Sequence, residues 1–343
     1  MCSQALFFAA LGHAPSAIAL LTALRWPDGV VCLYCGSRRI TGNGSYWRDP
    51  NLPRYACKAC GRTFMVTTRT PLARSRVALE TWIRAAWLVV LHQSANQCAK
   101  ETGLSFDRAY TLMWWFLEAA VGFEIDRKLS GVVEADEIYV SAGHKGKKPA
   151  KVRNGSSPSR APRHRGVRRG RGRGHAQKDR PVVVVKRQRK GPVCSSAAAD
   201  VTDETVKRLF RERVAPGSTV YTDSAKCYRP LGGEGYTLEQ VNHSRGEYAR
   251  GEQNEIHENG AEGEISLLKP FLGVYRGVSQ RNLPSYLLFY QFQRNHRDLS
   301  RWEQAAVLMA ALLGNGPAPC CLLPPLWAHS FEECTVGCHT SSE

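Results

Sequence analysis

The apolar positions fall into segments of different period. Leu6, Phe7, Phe8 and Leu11, then Ile18, Leu20 and Leu21, cluster as in short helices, predicting a helical lead-in over 1–25. Between Trp26 and Phe64 the helical spacing stops. Ile40, Tyr46, Trp47 and Tyr55 are placed to form a short hairpin. From Val77 to Glu118 helical spacing returns in Trp82, Ile83, Ala86, Trp87, Val90 and Leu91. Within it, a short helix over about Ala95 to Glu101, a turn at Gly103 and Ser105 as the cap of a second helix predict a helix-turn-helix in 71–128.

The second half reads as strands first. Gly131-Val-Val-Glu-Ala-Asp-Glu-Ile-Tyr-Val140 is rich in β-branched and aromatic residues and is bounded by glycines. Val182 to Val185 forms a compact strand, Gly191-Pro192 a turn, and Val193 to Ala198 an antiparallel return. Thr202 or Asp203 caps a helix to about Val214 with Val206, Leu209 and Phe210 as its stripe. Ser218 to Ser224 is a short strand ending in Asp223. Strand, strand, strand, helix, strand predicts a mixed α/β domain. Further on, Asn259, Glu262 and Ser266 lie three and four apart, hence on one helical face that Lys269 shares. Leu267 and Leu268 are expected on the other side, against the sheet. An aromatic helix follows from Tyr286 to His296, and composition changes beyond about Asn315, as in a frayed tail.

Charge sharpens this picture at one strand. Glu134, Asp136 and Glu137 sit in the middle of 131–140, and Asp136 shares a face with Val132, Glu134 and Ile138. Charge inside a core strand is costly without a partner, so a metal ion or a cation is expected opposite it; an edge strand with a solvated acidic face is the plain alternative. The chain carries a net charge of +17. The segment from His144 to Lys190, with 18 Lys and Arg against the single acid Asp179, accounts for all of it. Rich in Gly, Pro, Ser and Arg, residues 144–180 cannot bury enough apolar surface to offset chain entropy, which predicts a disordered basic insertion. Arg168, Arg169, Arg171 and Arg173 form an RGG-like run suited to coating nucleic acid without reading its sequence.

Cys32 and Cys35 precede Cys57 and Cys60 by about twenty residues; two residues separate the members of each pair, and each pair is followed by Gly. Two such turns supply four sulfurs in the closed tetrahedral array of a structural zinc ribbon, here 26–70. That use of cysteine, with no basic stretch ahead of the apolar N-terminal segment, predicts a reducing, cytoplasmic setting. No apolar run is long enough for a membrane span.

Taken together, a zinc ribbon, a helix-turn-helix, Val133-Glu-Ala-Asp-Glu-Ile-Tyr139, Tyr221-Thr-Asp223 and His257-Glu-Asn-Gly-Ala-Glu-Gly-Glu-Ile-Ser-Leu-Leu-Lys269 resemble the ISXO-like insertion-sequence transposases from about Trp26 to Arg297. The resemblance implies an RNase H-like catalytic domain over 129–300, interrupted by 144–180; a C-terminal helix and tail over 301–343 are expected after it. It implies catalytic acids at Asp136 and Asp223, with Asn259 or Glu262 as the third. Two features depart from the family: Ser141-Ala-Gly-His-Lys145 replaces the usual Gly-Gly-Lys, and the tail after Asn315 has no counterpart.

Phosphodiester transfer must stabilise charge on the attacking and leaving oxygens, which two Mg²⁺ (or Mn²⁺) ions about 4 Å apart accomplish. Asp136 would bridge both ions, with Asp223 on one and Glu262, preferred to Asn259 for its charge, on the other. Lys269 would hold a DNA phosphate. Water attacks in cleavage and the freed 3′-hydroxyl in joining. The expected partner is double-stranded DNA, with Arg108 and Tyr110 at the start of the second helix meeting a groove, and a homodimer or higher oligomer forming on it. An RNase H-like nuclease that does not join strands, and a DNA-binding regulator using only ribbon and helix-turn-helix, are the alternatives. For the basic insertion, deletion of 144–180 should weaken binding to all DNA sequences alike and lower the slope of log affinity against log salt, measured by fluorescence anisotropy. An unchanged slope would show that the insertion does not touch phosphates.

Overall fold

The structure, a computed structural model, describes residues 3–143, 176, 179–242, 245–247, 249–252 and 255–314. Arg168, Arg169, Arg171 and Arg173, most of the basic insertion and the tail from 315 lie outside the described residues. The chain divides into two compact units, one made of residues up to Phe123 and a return segment from His296, the other running from Glu124 to Asn295.

In the first unit, α1 (Gln4–Ala10) starts at Ser3, whose hydroxyl accepts from the Leu6 amide at 3.2 Å, and α2 (Ala14–Arg25) follows. The ribbon comes next: β1 (Ile40–Tyr46) pairs antiparallel with β2 (Asp49–Cys57), which pairs with β3 (Thr63–Phe64). Each Cys-x-x-Cys turn closes on a glycine, Gly36 and Gly61, both at φ 70°, where a Cβ would be strained. Their amides donate to the carbonyls of Cys32 (3.0 Å) and Cys57 (2.8 Å).

The four Sγ atoms of Cys32, Cys35, Cys57 and Cys60 all lie within 4.8 Å of one another, with 3.6 Å between Cys32 and Cys60 and between Cys35 and Cys57. Tetrahedral bonds of about 2.3 Å put sulfurs about 3.8 Å apart, so the cluster fits a structural zinc. Trp26 packs edge-on against Tyr55 and Phe64, and the Arg25 guanidinium donates to the carbonyls of Val66 and Thr68. The end of α2 is therefore joined to the ribbon rather than separate from it.

Beyond the ribbon, α3 (Leu79–Val90) leads to α4 (Ala95–Thr102) and α5 (Phe106–Glu124). Ser94 caps α4 by accepting from the Gln97 amide, and Gly103, at φ 71°, ends it. The helical spacing and the turn at Gly103 place these helices correctly, and Ser94 is a cap that the sequence reading did not name.

The second unit is built on β4 (Val132–Tyr139), with β5 (Ala142–Gly143), β6 (Val182–Gln188), β7 (Val193–Ala198), α6 (Asp203–Arg213), β8 (Thr219–Asp223) and β9 (Thr237–Val241) after it. Then come α7 (Asn259–Val274), β10 (Val278–Ser279), which pairs with β5, and α8 (Leu283–Asn295). The main sheet has the order β7-β6-β4-β8-β9. β6 runs antiparallel to both β4 and β7, while β8 runs parallel to β4 and to β9. Numbered along the chain this is 3-2-1-4-5, the RNase H-like arrangement.

One sheet face buries Val133, Ala135, Val184 and Val220 with Val206, Leu209 and Phe210 of α6 and with Tyr228. The other meets α7 and α8. β9 was not expected: Thr237-Leu-Glu-Gln-Val241 is polar and half-exposed at the sheet edge, so its apolar signal is weak. The expected packing of Leu267 is corrected. α7 buries Ala261, Glu264, Ile265, Leu268 and Phe271, and Leu267 lies off that stripe, 45% exposed.

The chain then returns to the first unit as α9 (Arg301–Leu312), opened by a capping box between Ser300 and Glu303. Trp302 stands 5.9 Å from Phe7. For the ribbon, Cys57→Ser should reduce bound zinc from about one to about zero per chain by atomic absorption. It should also unfold the ribbon, since structural zinc supplies on the order of 10 kcal/mol of folding energy. Retention of zinc by this variant would refute the four-thiolate site.

Candidate active site

β4 and β8 run side by side in register, Glu134 opposite Tyr221 and Ala135 opposite Thr222. Asp136 and Asp223 come next on their strands. Residues 87 apart in sequence are thereby neighbours across one inter-strand spacing of about 4.8 Å. Asp136 Oδ1 accepts from the Glu137 amide at 2.7 Å, and Asp223 Oδ1 from the Ala225 amide at 3.0 Å as its strand ends. Glu137 points to the opposite face, where its carboxylate accepts from the buried Tyr228 hydroxyl at 2.8 Å.

The first turn of α7 supplies the rest. Asn259 opens the helix and Glu262 lies three residues on, both exposed. Glu258, at the N-cap position, is 2% exposed. Burial first, then the charges of Glu137, Asp223 and Glu262, push the Asp136 carboxyl up to about 7 against one backbone hydrogen bond. Burial, then Asp136, Asp223 and Glu262, push Glu258 up to about 8, although the backbone of Asp223 hydrogen-bonds to it. Like charges gathered in a low-dielectric site disfavour joint ionisation. The structure thus brings Asp136, Asp223, Glu258 and Glu262 into one electrostatic cluster. Sequence reasoning missed Glu258; its place between His257 and Asn259 was the available signal, but its burial depends on the fold.

Lys269 lies on the same exposed face of α7, seven residues and about 10 Å beyond Glu262. It lines a groove of about 560 Å³ with Glu137, Ser141, Arg180 and Leu272. In the first unit, Arg108 is exposed in the first turn of α5, and the Tyr110 ring stacks on Phe106 at 5.8 Å with 18° between planes. Phe106, 52% exposed, is a further surface group of that turn which the helical spacing alone did not single out.

A mixed sheet of this order, with one acid inside its central strand and another at the end of the parallel strand beside it, defines an RNase H-like domain. The model of the ISXO2-like transposase domain matches residues 128–295. A Halobacterium salinarum protein, described as an uncharacterized protein in transposable element ISH50, is 36% identical over 279 residues, covering 80% of this chain and 88% of the relative. Among solved structures, a pre-cleavage Mos1 transpososome matches 62% of this chain and 73% of its own at 11% identity and TM-score 0.24. The Mos1 strand transfer complex matches 68% and 78% at 11% identity and TM-score 0.27. The chain belongs to the ISXO2-like transposase family and is a DNA transposase.

Asp136 and Glu258 hold a proton more tightly folded than unfolded. Their contribution to stability is therefore complete below the unfolded carboxyl range of about pH 4 and is lost as pH rises through about 7 and about 8. In buffer stripped of free divalent ions, the melting temperature should fall across that window, and added Mg²⁺ should remove most of the slope. Glu258→Gln should remove the part of the slope nearer pH 8 without metal, leaving the Asp136 part. A wild-type profile level across the window would contradict the crowding of charge described above.

Proposed function

We propose that this transposase cleaves and joins the ends of its element by DDE-type, divalent-metal-dependent phosphodiester transfer. The observation that carries the reading is the pairing of Asp136 with Asp223 on adjacent parallel strands, under the charge of Glu262 from the first turn of α7. The donor set is all oxygen, which suits Mg²⁺ or Mn²⁺. The raised proton affinities mark negative charge that a cation would neutralise. Asp136, Asp223 and Glu262, or Asn259 through its amide oxygen, would hold the ions. Bound there, the ions would neutralise charge on the attacking and leaving oxygens.

The remaining roles fall to the chain's own residues. Lys269, exposed on the groove wall about 10 Å along α7 from Glu262, holds a DNA phosphate. The basic insertion 144–180, with Arg168, Arg169, Arg171 and Arg173, binds the backbone of double-stranded DNA through its charge. Arg108 and Tyr110 meet a groove from the start of α5. The division of labour is a zinc ribbon (26–70), a helix-turn-helix (71–128) and a catalytic domain (129–300), working as a homodimer or higher oligomer on cytoplasmic DNA. Among the described residues no helix is long and apolar enough to cross a membrane.

A strand-joining assay with the element's terminal DNA tests this. Wild type should cut and join in Mg²⁺. A nuclease would only cut, and a regulator, for which Asp136, Asp223 and Glu262 have no use, would do neither. Asp136→Asn should lower cleavage by more than about 100-fold, beyond the usual cost of losing an outer-shell group, while DNA affinity holds. Glu262→Gln should lose Mg²⁺-dependent cleavage and Asn259→Ala should largely keep it; the reverse result would move the third ligand to Asn259.

A further inference from the structure

Glu134 stands two residues before Asp136 on β4, so both side chains leave the same sheet face. It is 3% exposed. A buried carboxylate is costly unless paired, and this one is paired on both oxygens. Its Oε1 accepts from Arg189, with Nε at 2.9 Å and Nη2 at 2.8 Å. Its Oε2 accepts from the Gly260 amide at 2.6 Å. Gly260 is the second residue of α7, between Asn259 and Glu262.

Arg189 follows β6 and extends the link. It donates to the Glu255 carbonyl at 2.7 Å, reaches the His257 ring at 3.3 Å and lies over the Tyr221 ring of β8 at 5.1 Å. One carboxylate thus joins β4, the turn after β6 and the segment that enters α7. Gly260 is required for the close approach and not for its φ. A Cβ there would meet Glu134 Oε2 at 2.4 Å and Arg187 Cδ at 3.2 Å.

The next part of α7 is held independently. Glu264, fully buried, accepts from Arg294 at 2.9 Å and from the Tyr290 hydroxyl at 2.8 Å, and pairs with Arg187 at 3.3 Å. Losing the Glu134 link should therefore shift the first turn without releasing the helix.

We infer that Glu134 and Gly260 are positioning residues: their hydrogen bond sets where Asn259 and Glu262 stand relative to Asp136 and Asp223, and so how tightly the site holds a divalent ion. Neither is a ligand. The inference rests on the metal-dependent reading of the site proposed above, and the test separates the two.

The readout is Mn²⁺ affinity of the full-length, DNA-free protein by calorimetry, with cleavage kcat, DNA affinity and melting temperature alongside. Gly260→Ala and Glu134→Asp both preserve net charge. The first pushes the strand and helix apart; the second shortens the side chain away from the Gly260 amide. Each should weaken Mn²⁺ binding by about 10- to 100-fold, as outer-shell changes do, and lower kcat while DNA affinity holds. Glu134→Gln removes the charge but keeps an oxygen in reach of that amide, so it should bind Mn²⁺ more tightly than Glu134→Asp.

Wild-type affinity and kcat in Gly260→Ala and Glu134→Asp would overturn the inference. So would Glu134→Gln binding more weakly than Glu134→Asp, because charge and not placement would then be at work. If Gly260→Ala fails to fold, Glu134→Asp, which adds no atom, decides alone. If Asp136→Asn leaves wild-type Mn²⁺ binding intact, the metal reading itself falls, whatever the Glu134 variants do.

Discussion

Repulsion between like charges is the constraint around which the second unit is arranged. Asp136, inside β4, and Asp223, at the end of β8, are side by side on parallel strands, Glu258 is buried against them, and Glu262 adds its field from the helix. No solvated chain would gather these groups. The strand register and the seat of α7 hold them together, and the strain shows as carboxyls that retain protons near neutral pH.

The opposing cations are placed one layer out. Arg189 compensates Glu134, and Arg187 and Arg294 compensate Glu264, so the acids that support α7 are paired. Asp136 and Glu258 instead feel mainly burial and other acids. That partition suits the divalent-ion reading proposed above: supporting carboxylates are satisfied by arginine, while the carboxyls of the cluster lie mainly among other acids. The acidic strand 131–140 is consequently a central one, and the alternative of a solvated edge is set aside by β6 and β8 flanking it.

The first unit draws its order from different sources. A ribbon of three short strands has little core of its own, and the four thiolates converge where a zinc would close it. Trp26 and Arg25 extend that order into α2, while Phe7, Trp87 and Trp302 form an aromatic contact that brings α9 back to the N-terminal helices.

Much was legible without coordinates because it is local. Two Cys-x-x-Cys-Gly turns, the helical spacing from Val77 onward, the cap Thr202, and the strands bearing Asp136 and Asp223 are all written in periods of a few residues. The position of the basic excess needed only counting. Tertiary structure decided what depends on register and burial. It placed Asp136 beside Asp223 across 87 residues, buried Glu258, left Leu267 in solvent, added β9 to the sheet edge and returned α9 to the first unit. Side-chain period names a face of a strand or helix; which element that face meets is settled by packing between segments far apart in the chain, and no local pattern encodes it.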